Sequence, residues 1–181
     1  MKVKKTKLPG VLIIKPEVIS DNRGFFKETF QSERYKNFGI SLPFVQDNYS
    51  RSQKGVLRGL HSQKFRPQGK LISCSAGSIY DVVVDINPRS KTFSNYIGIE
   101  LSSHNHLQIW IPPGYAHGFC VLSKSAELYY KCTEFYFSND QSGLIWNDPE
   151  VKINWPIKYP ILSEKDKLLP TLAEIRKSKT I

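Results

Sequence analysis

The amino-acid sequence predicts an all-β sandwich or barrel, and three observations lead to that prediction. Ten short segments are rich in β-branched and aromatic residues. Glycine, proline, asparagine and aspartate separate these segments at spacings of roughly 8–12 residues. Helical periodicity is confined to three short stretches. Many short strands with regular turns are typical of two packed antiparallel sheets or of a closed barrel.

The predicted strands run from near the N-terminus to residue 137. They are Val11–Ile14, Phe25–Phe30, Phe44–Ser50, Val56–His61, Lys70–Ser75, Ser78–Ile86, Tyr96–Leu101, Leu107–Ile111, Gly118–Leu122 and Glu127–Phe137. The predicted helices are Ser32–Phe38, with Ser32 as its cap, Glu164–Leu168 and Leu172–Arg176. Because no repeat or linker divides the chain, we expect one domain over residues 1–181.

Composition and charge restrict the classes of function. Of the 181 residues 40% are apolar and 12% aromatic, which is enough for a buried core and excludes wholesale disorder. No apolar run approaches the roughly 20 residues that cross a bilayer, and no secretory signal is visible, so we expect a cytoplasmic protein without membrane contact.

The net charge of +10 is concentrated at the two ends, residues 1–7 and 171–181, which we expect to be basic tails. The first end carries four lysines, and the second carries Arg176, Lys177 and Lys179. The remainder is only weakly positive, which suits a small anionic ligand as well as a polynucleotide. We therefore do not expect a nucleic-acid partner.

Cysteine and histidine positions do not indicate a metal site. Cys74, Cys120 and Cys132 lack close pairing in the sequence, so we expect small buried residues. His104 and His106 have the spacing of a metal-binding pair. They lie in a polar turn, whereas such a site needs strand-borne partners, and we expect no metal.

Several strands carry an unusual density of cationic and amide side chains. Arg58 and His61 lie in one predicted strand, and Lys70 begins another. Gln46 and Asn48 share one face of a third strand at a period of two. Because burying charge is costly unless the charge is paired or used, this density predicts a ligand site.

Five motifs along the chain indicate what kind of site this is, because they occur in the same order as in a known family. They are Asp47–Asn48, Gly55–His61, Trp110–Phe119, Tyr130–Lys131 and Trp146–Pro149. With these motifs the sequence resembles the dTDP-4-dehydrorhamnose 3,5-epimerase family from about Lys7 to Pro170. The resemblance implies a cupin-type jelly-roll sandwich with a few short peripheral helices. It also implies a homodimer in which strands are exchanged or paired between subunits.

The resemblance implies an isomerase that inverts carbons 3 and 5 of dTDP-4-keto-6-deoxy-D-glucose, giving dTDP-4-keto-L-rhamnose for L-rhamnose and cell-surface polysaccharide synthesis. It implies that His61 is the base, that Asp166 pairs with it and that Tyr130 is the acid on the opposite face. Tyr129 points to the other side of its strand. No cofactor is expected, since a ketone already acidifies the neighbouring carbons.

Substrate-binding residues are also implied by the resemblance. Arg58 and Lys70 match cations beside the sugar ketone and the phosphates, and Arg23 and Glu28 match the nucleotide end. Phe26 or Tyr136 offers an aromatic ring for stacking on the nucleotide base. The remaining ligand-contacting positions are Gln46, Asn48, His117, Gln141 and Lys165.

Three departures from the family pattern leave alternatives open. Ser62 replaces an aromatic residue, Tyr49 replaces a histidine and Gln141 replaces a glutamate. One alternative is an enzyme that epimerises a single carbon, 3 or 5, of a related nucleotide-linked 4-keto-deoxysugar. Another is a non-catalytic nucleotide-sugar-binding module, which the presence of both His61 and Tyr130 disfavours.

Overall fold

The computed structural model describes residues 1–178, so Lys179 lies outside the described part. A six-stranded sheet contains, in spatial order, β1 (Lys2–Lys5), β2 (Leu12–Lys15), β10 (Gln108–Ile111), β7 (Lys70–Ala76), β12 (Ser125–Cys132) and β5 (Gln46–Gln53). A five-stranded sheet contains β13 (Gln141–Gly143), β6 (Leu57–Gln63), β11 (Tyr115–Val121), β8 (Ser78–Asp85) and β9 (Tyr96–Ser102). The hairpin of β3 (Ile19–Asp21) and β4 (Gly24–Phe26) stands apart from both.

Helices are few and short, as predicted. They are α1 (Ser32–Lys36), α2 (Glu164–Lys167) and α3 (Leu172–Ser178). The mostly β architecture confirms the fold class expected from the sequence. Within residues 1–178 no helix is long and apolar enough to span a membrane.

Three local predictions were wrong, and the reasons lie in side-chain hydrogen bonds. Gln31, not Ser32, caps α1, because its side chain accepts the N–H of Arg34. The predicted strand Phe25–Phe30 ends at Phe26, and the Thr29 carbonyl instead accepts hydrogen bonds from side chains. The predicted strand Glu127–Phe137 ends at Cys132, because the following residues bond to loop partners.

The main core lies between the two large sheets, where both contribute inward-facing apolar side chains. Ile72 and Leu128 come from the six-stranded sheet, and Val83 and Phe119 come from the five-stranded sheet. Because successive strand residues face opposite sides, this packing fixes the register of every strand and therefore which polar side chains face inward.

The N-terminal end of the chain adds an edge strand to the six-stranded sheet, and the C-terminal end covers a face of the five-stranded sheet. β1 pairs with β2, and its lysines remain exposed. At the other end, Leu172 and Ile175 of α3 are buried against Leu60 of β6 and Val84 of β8. Both ends that were expected as tails thus carry secondary structure, and the C-terminal layer holds α2 beside β6.

Candidate active site

Two adjoining cavities of about 290 and 150 Å³ lie between the sheets. His61, Lys70 and Tyr130 line both of them, so we treat them as one substrate cavity. The other lining residues are Gln46, Asn48, Ser50, Arg58, Ser62, Gln63, Gln68, His117, Phe119, Leu128, Tyr136 and Gln141. The strand periodicity that predicted Gln46 and Asn48 on one face is confirmed, because their side chains bond to each other at 2.9 Å.

His61 and Asp166 form a close pair at the wall of this cavity. His61 Nε2 lies 2.6 Å from Asp166 Oδ1, and Asp166 is buried on α2. Burial alone would raise the pKa of Asp166. The hydrogen bond and charge of His61, with N–H donation from Gly59 and the Ser163 contact, instead lower this pKa below its ordinary value of 3.8. The carboxylate is therefore ionised at neutral pH and orients the imidazole.

Glycine allows the two central strands of this wall to approach each other. His61 of β6 is the cross-strand partner of His117 of β11, so the two imidazoles lie side by side. Gly59 has a φ of +114°, and a Cβ there would lie 2.7 Å from the Cα of Gly118. This glycine therefore makes room for the backbone of the neighbouring strand.

Tyr130 and Lys70 come from the opposite sheet. Tyr130 lies on β12 and Lys70 on β7, so both face His61 across the cavity. Burial and Cys132 raise the pKa of Tyr130, and Arg58 opposes this shift, so the phenol is protonated at neutral pH. Burial lowers the pKa of Lys70, against the opposing charges of Cys132 and Asp81.

The neighbours of Tyr130 confirm the predicted alternation along β12. Tyr129 and Lys131 both bond to Asp47 on the outer face of the sheet, at 2.6 and 2.8 Å. Since Asp47 is exposed, these contacts belong to the surface. Tyr130 alone of the three is directed at the cavity.

A second histidine–aspartate pair lies beneath the cavity. His117 Nε2 lies 2.8 Å from Oδ2 of Asp81, which is fully buried. Among the described residues the other oxygen, Asp81 Oδ1, has no hydrogen-bond partner. Sequence reasoning missed Asp81, although a carboxylate within the apolar strand β8 is a recognisable signal.

The open end of the cavity is lined mainly by amide and aromatic groups. The Tyr136 hydroxyl donates to Gln141 Oε1 at 2.8 Å, and the Tyr136 N–H donates to Gln46. Tyr136 remains half exposed, which leaves its ring accessible to a ligand. Gln63 and Gln68 also line this end and were not predicted as site residues.

Apart from Asp166, which lies behind His61, four predicted site residues lie outside this cavity in the part of the chain that the structure describes. Arg23 and Phe26 are exposed on the β3–β4 hairpin, and Glu28 follows it. Arg23 bonds to Asp21 at 2.6 Å. The fourth, Lys165, is exposed on α2 next to Asp166. Their binding role stays a prediction that requires another copy of the chain or a movement.

Within residues 1–178 no group of three or more His, Cys, Asp or Glu side chains could hold a metal ion. His106 is instead close to Lys27, whose Nζ lies 3.2 Å from its Nδ1. Cys74, Cys120 and Cys132 are buried, as predicted.

The fold is a jelly-roll sandwich, and its cavity places a histidine–aspartate pair opposite a partly buried tyrosine. The chain belongs to the dTDP-4-dehydrorhamnose 3,5-epimerase family, which it matches over residues 5–174. A relative from Shigella flexneri named dTDP-4-dehydrorhamnose 3,5-epimerase is 49% identical over 169 residues, covering 92% of this chain and 93% of the relative. The protein of the same name from Escherichia coli (strain K12) is 46% identical and covers 100% of both chains.

Solved structures agree with this relationship. The dTDP-6-deoxy-D-glucose-3,5-epimerase from Legionella pneumophila, in complex with dTDP-4-keto-L-rhamnose, is 46% identical, with a TM-score of 0.93 over 96% of both chains. A 3'-monoepimerase from Streptomyces bikiniensis, in complex with dTDP-quinovose, is 30% identical, with a TM-score of 0.90 over 97% of this chain and 90% of that one. The resemblance inferred from the sequence motifs is confirmed.

We expect the Asp166→Asn variant to have a free energy of unfolding about 1–3 kcal/mol lower than that of the wild type at pH 7, a contribution of the order expected for a charged hydrogen bond. Because the pKa of Asp166 is lower in the folded state, its ionised form stabilises the fold above about pH 4–5. This contribution is lost as the pH falls through the lowered pKa. Urea denaturation at pH 7 and below pH 4 measures the difference, with exposed Glu33→Gln as control. A difference that grew in acid would contradict the assignment.

Proposed function

We propose that this chain inverts carbons 3 and 5 of dTDP-4-keto-6-deoxy-D-glucose to give dTDP-4-keto-L-rhamnose. The observation that carries the proposal is that His61 and Tyr130 come from opposite sheets and face each other across the cavity. Inversion at a carbon requires a proton to leave from one side and return from the other. The names of the relatives and the product in the Legionella structure support the same reaction.

The first step removes a proton from a carbon next to the ketone. The bond to Asp166 occupies His61 Nε2 and leaves Nδ1 as the nitrogen that can accept a proton. The imidazolium that forms is then stabilised by the ionised carboxylate of Asp166. The electron pair of the broken C–H bond moves toward the ketone oxygen, giving an enolate.

The enolate needs positive charge close to its oxygen. Lys70 lies in the same cavity as His61, and Arg58 lies beside it with its Nε bonded to Ser52 at 2.9 Å. Preorganised cations in a partly dry cavity stabilise developing negative charge without reorganisation. Tyr130, whose raised pKa keeps it protonated, then donates a proton from the opposite side. His61 then releases its proton to solvent and Tyr130 regains one from solvent, after which the same two steps at the second carbon complete the double inversion.

The nucleotide lies at the open end of the cavity in this proposal. Gln46 and Asn48 offer amide groups, and Tyr136 offers a half-exposed ring for stacking on thymine. Gln141 holds the tyrosine hydroxyl. His117 lies further in, beside His61, where it contacts the sugar.

A homodimer completes the nucleotide site. Arg23, Phe26 and Glu28 lie outside the cavity of their own chain, and Ile19, Phe25 and Phe26 are exposed on the hairpin. Strand β5 forms an edge of its sheet beside Gln46 and Asn48 and is open to pairing. We propose that the hairpin of one subunit reaches the cavity of its partner, where Lys165 also helps to bind the substrate.

Three buried thiols suit the cytoplasmic location expected from the sequence.

Epimerisation at carbon 3 alone is the second candidate function. It is favoured by the likeness to the Streptomyces bikiniensis 3'-monoepimerase, which covers nearly the whole chain. The two candidates use the same base and acid and differ in how the sugar is held. Proton exchange at each carbon therefore separates them.

With dTDP-4-keto-6-deoxyglucose in deuterated water, we expect the wild type to exchange the protons at carbons 3 and 5, as measured by proton NMR. His61→Asn should slow both exchanges by roughly 10²–10⁴-fold, the usual contribution of a general base. Asp166→Asn should slow them less. Exchange at carbon 3 only supports the second candidate, and no exchange by the wild type supports a binding module.

We expect Tyr130→Phe to keep dTDP binding and to admit deuterium through His61, but to fail to accumulate the inverted sugar. Without the phenol no group returns a proton from the opposite side. The matched control is Tyr129→Phe, which changes the neighbouring ring on the outer face. Normal epimer yield from the Tyr130 variant would refute its role as the acid.

The homodimer proposal is tested by combining two inactive variants. Arg23→Ala and His61→Asn chains, co-expressed in equal amounts, should recover about a quarter of wild-type activity, since half of the dimers are mixed and each has one intact site. Sedimentation checks that the species is a dimer. A mixture no more active than its parents shows that Arg23 does not serve the partner's cavity.

A further inference from the structure

Gln63 has all its hydrogen-bonding atoms engaged with the loops at the open end of the cavity. Its Nε2 donates to the Arg66 carbonyl at 2.6 Å and to the Phe135 carbonyl at 3.1 Å. Its Oε1 accepts the N–H of Phe137 at 2.8 Å. The side chain is only 6% exposed, so these contacts are shielded from water.

The residues that Gln63 binds stand on both sides of Tyr136. One bond holds the residue before the tyrosine, and another holds the residue after it. Gln46 binds the N–H of Tyr136 itself, and Gln141 binds its hydroxyl. Because Tyr136 is half exposed and its neighbours lie outside regular strands, these side-chain bonds are what set its position.

We propose that Gln63 is a positioning residue for nucleotide recognition, which acts by holding the segment 135–137 so that the Tyr136 ring is ready to stack on the base. The inference rests on the proposed function, since it assumes that the base binds at Tyr136. Gln63 borders the cavity, but it has no free polar atom for a ligand.

Only an amide of this length supplies what the site requires. Two backbone carbonyls need N–H donors, and one backbone N–H needs an acceptor. A glutamate at position 63 would keep the acceptor for Phe137 but would place an oxygen against two carbonyl oxygens. A leucine would leave all three backbone groups without a side-chain partner.

The position of Gln63 also links the nucleotide end of the cavity to His61, the proposed general base. It lies two residues after His61 on β6, so both side chains are on the same face of the strand. Its cross-strand partner on β13 is Gln141, which holds the Tyr136 hydroxyl. His61 and the two side chains that hold the Tyr136 segment, Gln63 and Gln141, are thus carried by one strand pair, so a nucleotide stacked on Tyr136 is held in fixed relation to His61.

The test compares wild type, Gln63→Leu and Gln63→Glu. Calorimetric titration with dTDP and steady-state kinetics with the dTDP-4-keto sugar provide the readouts. We expect the Kd for dTDP and the KM to rise about tenfold in both variants, the order expected when base stacking on a ring is lost. We expect kcat at saturation to stay within about twofold, since His61 and Tyr130 are unchanged. If Gln63→Leu does not fold, the Glu variant carries the test.

A double-mutant cycle with Tyr136→Leu separates positioning from a general structural effect. If Gln63 acts through the ring, Gln63→Leu should weaken dTDP binding no further once Tyr136 is already leucine. Additive losses would overturn the proposal. The matched control is Asn105→Leu, because the Asn105 amide also makes three backbone hydrogen bonds in a turn away from the cavity. It should lower the melting temperature without changing the Kd.

The outcomes also separate this inference from the proposed function. A wild type that neither binds dTDP nor exchanges substrate protons contradicts the proposed function. A wild type that does both, with Gln63 variants of unchanged Kd and KM, contradicts only the role of Gln63.

Discussion

The site depends on one hydrogen bond between residues that are 105 positions apart in the chain, His61 and Asp166. The bond forms only if the C-terminal segment returns to β6. Backbone bonds bring it there, including one from the Leu57 N–H to the Ile161 carbonyl. Leu172 and Ile175 then cover the outer face of the sheet. The apolar outer layer therefore sets the geometry of the His61–Asp166 pair.

The second constraint is the free-energy cost of burying charged side chains between the two sheets. Asp81 is fully buried below His117, and Lys70 faces the same cavity. Such groups would oppose folding if each stood alone, because desolvation of an unpaired charge costs several kcal/mol or more. Here Asp81 lies 2.8 Å from His117 and its charge opposes the lowering of the Lys70 pKa by burial, while the apolar core fills the rest of the interface. The sandwich thus tolerates a polar cavity that reaches inward from its open end.

Strand periodicity predicted most of the fold and part of the site, because it is a local property. It placed Gln46 beside Asn48 and separated Tyr130 from its neighbours Tyr129 and Lys131. It could not assign Asp166, since a helix of four residues has no periodic signal, and only the family resemblance indicated it. Gln63 was missed because its role arises from contacts with residues far away in the sequence, whereas Asp81 was missed although a carboxylate within an apolar strand is itself a signal.

The three departures from the family pattern differ in where their side chains lie relative to the cavity. Tyr49 is 62% exposed and bonds to Glu127 on the outer face, so it leaves the cavity unchanged. Ser62 borders both the cavity and a groove of about 770 Å³ beside α3. Gln141 alone of the three accepts a hydrogen bond from Tyr136, the ring proposed to stack on the nucleotide base. An amide keeps the acceptor oxygen of a glutamate, removes its charge and adds two N–H donors. We therefore expect a change in nucleotide preference to originate at Gln141 rather than at Tyr49, whose side chain lies on the outer face.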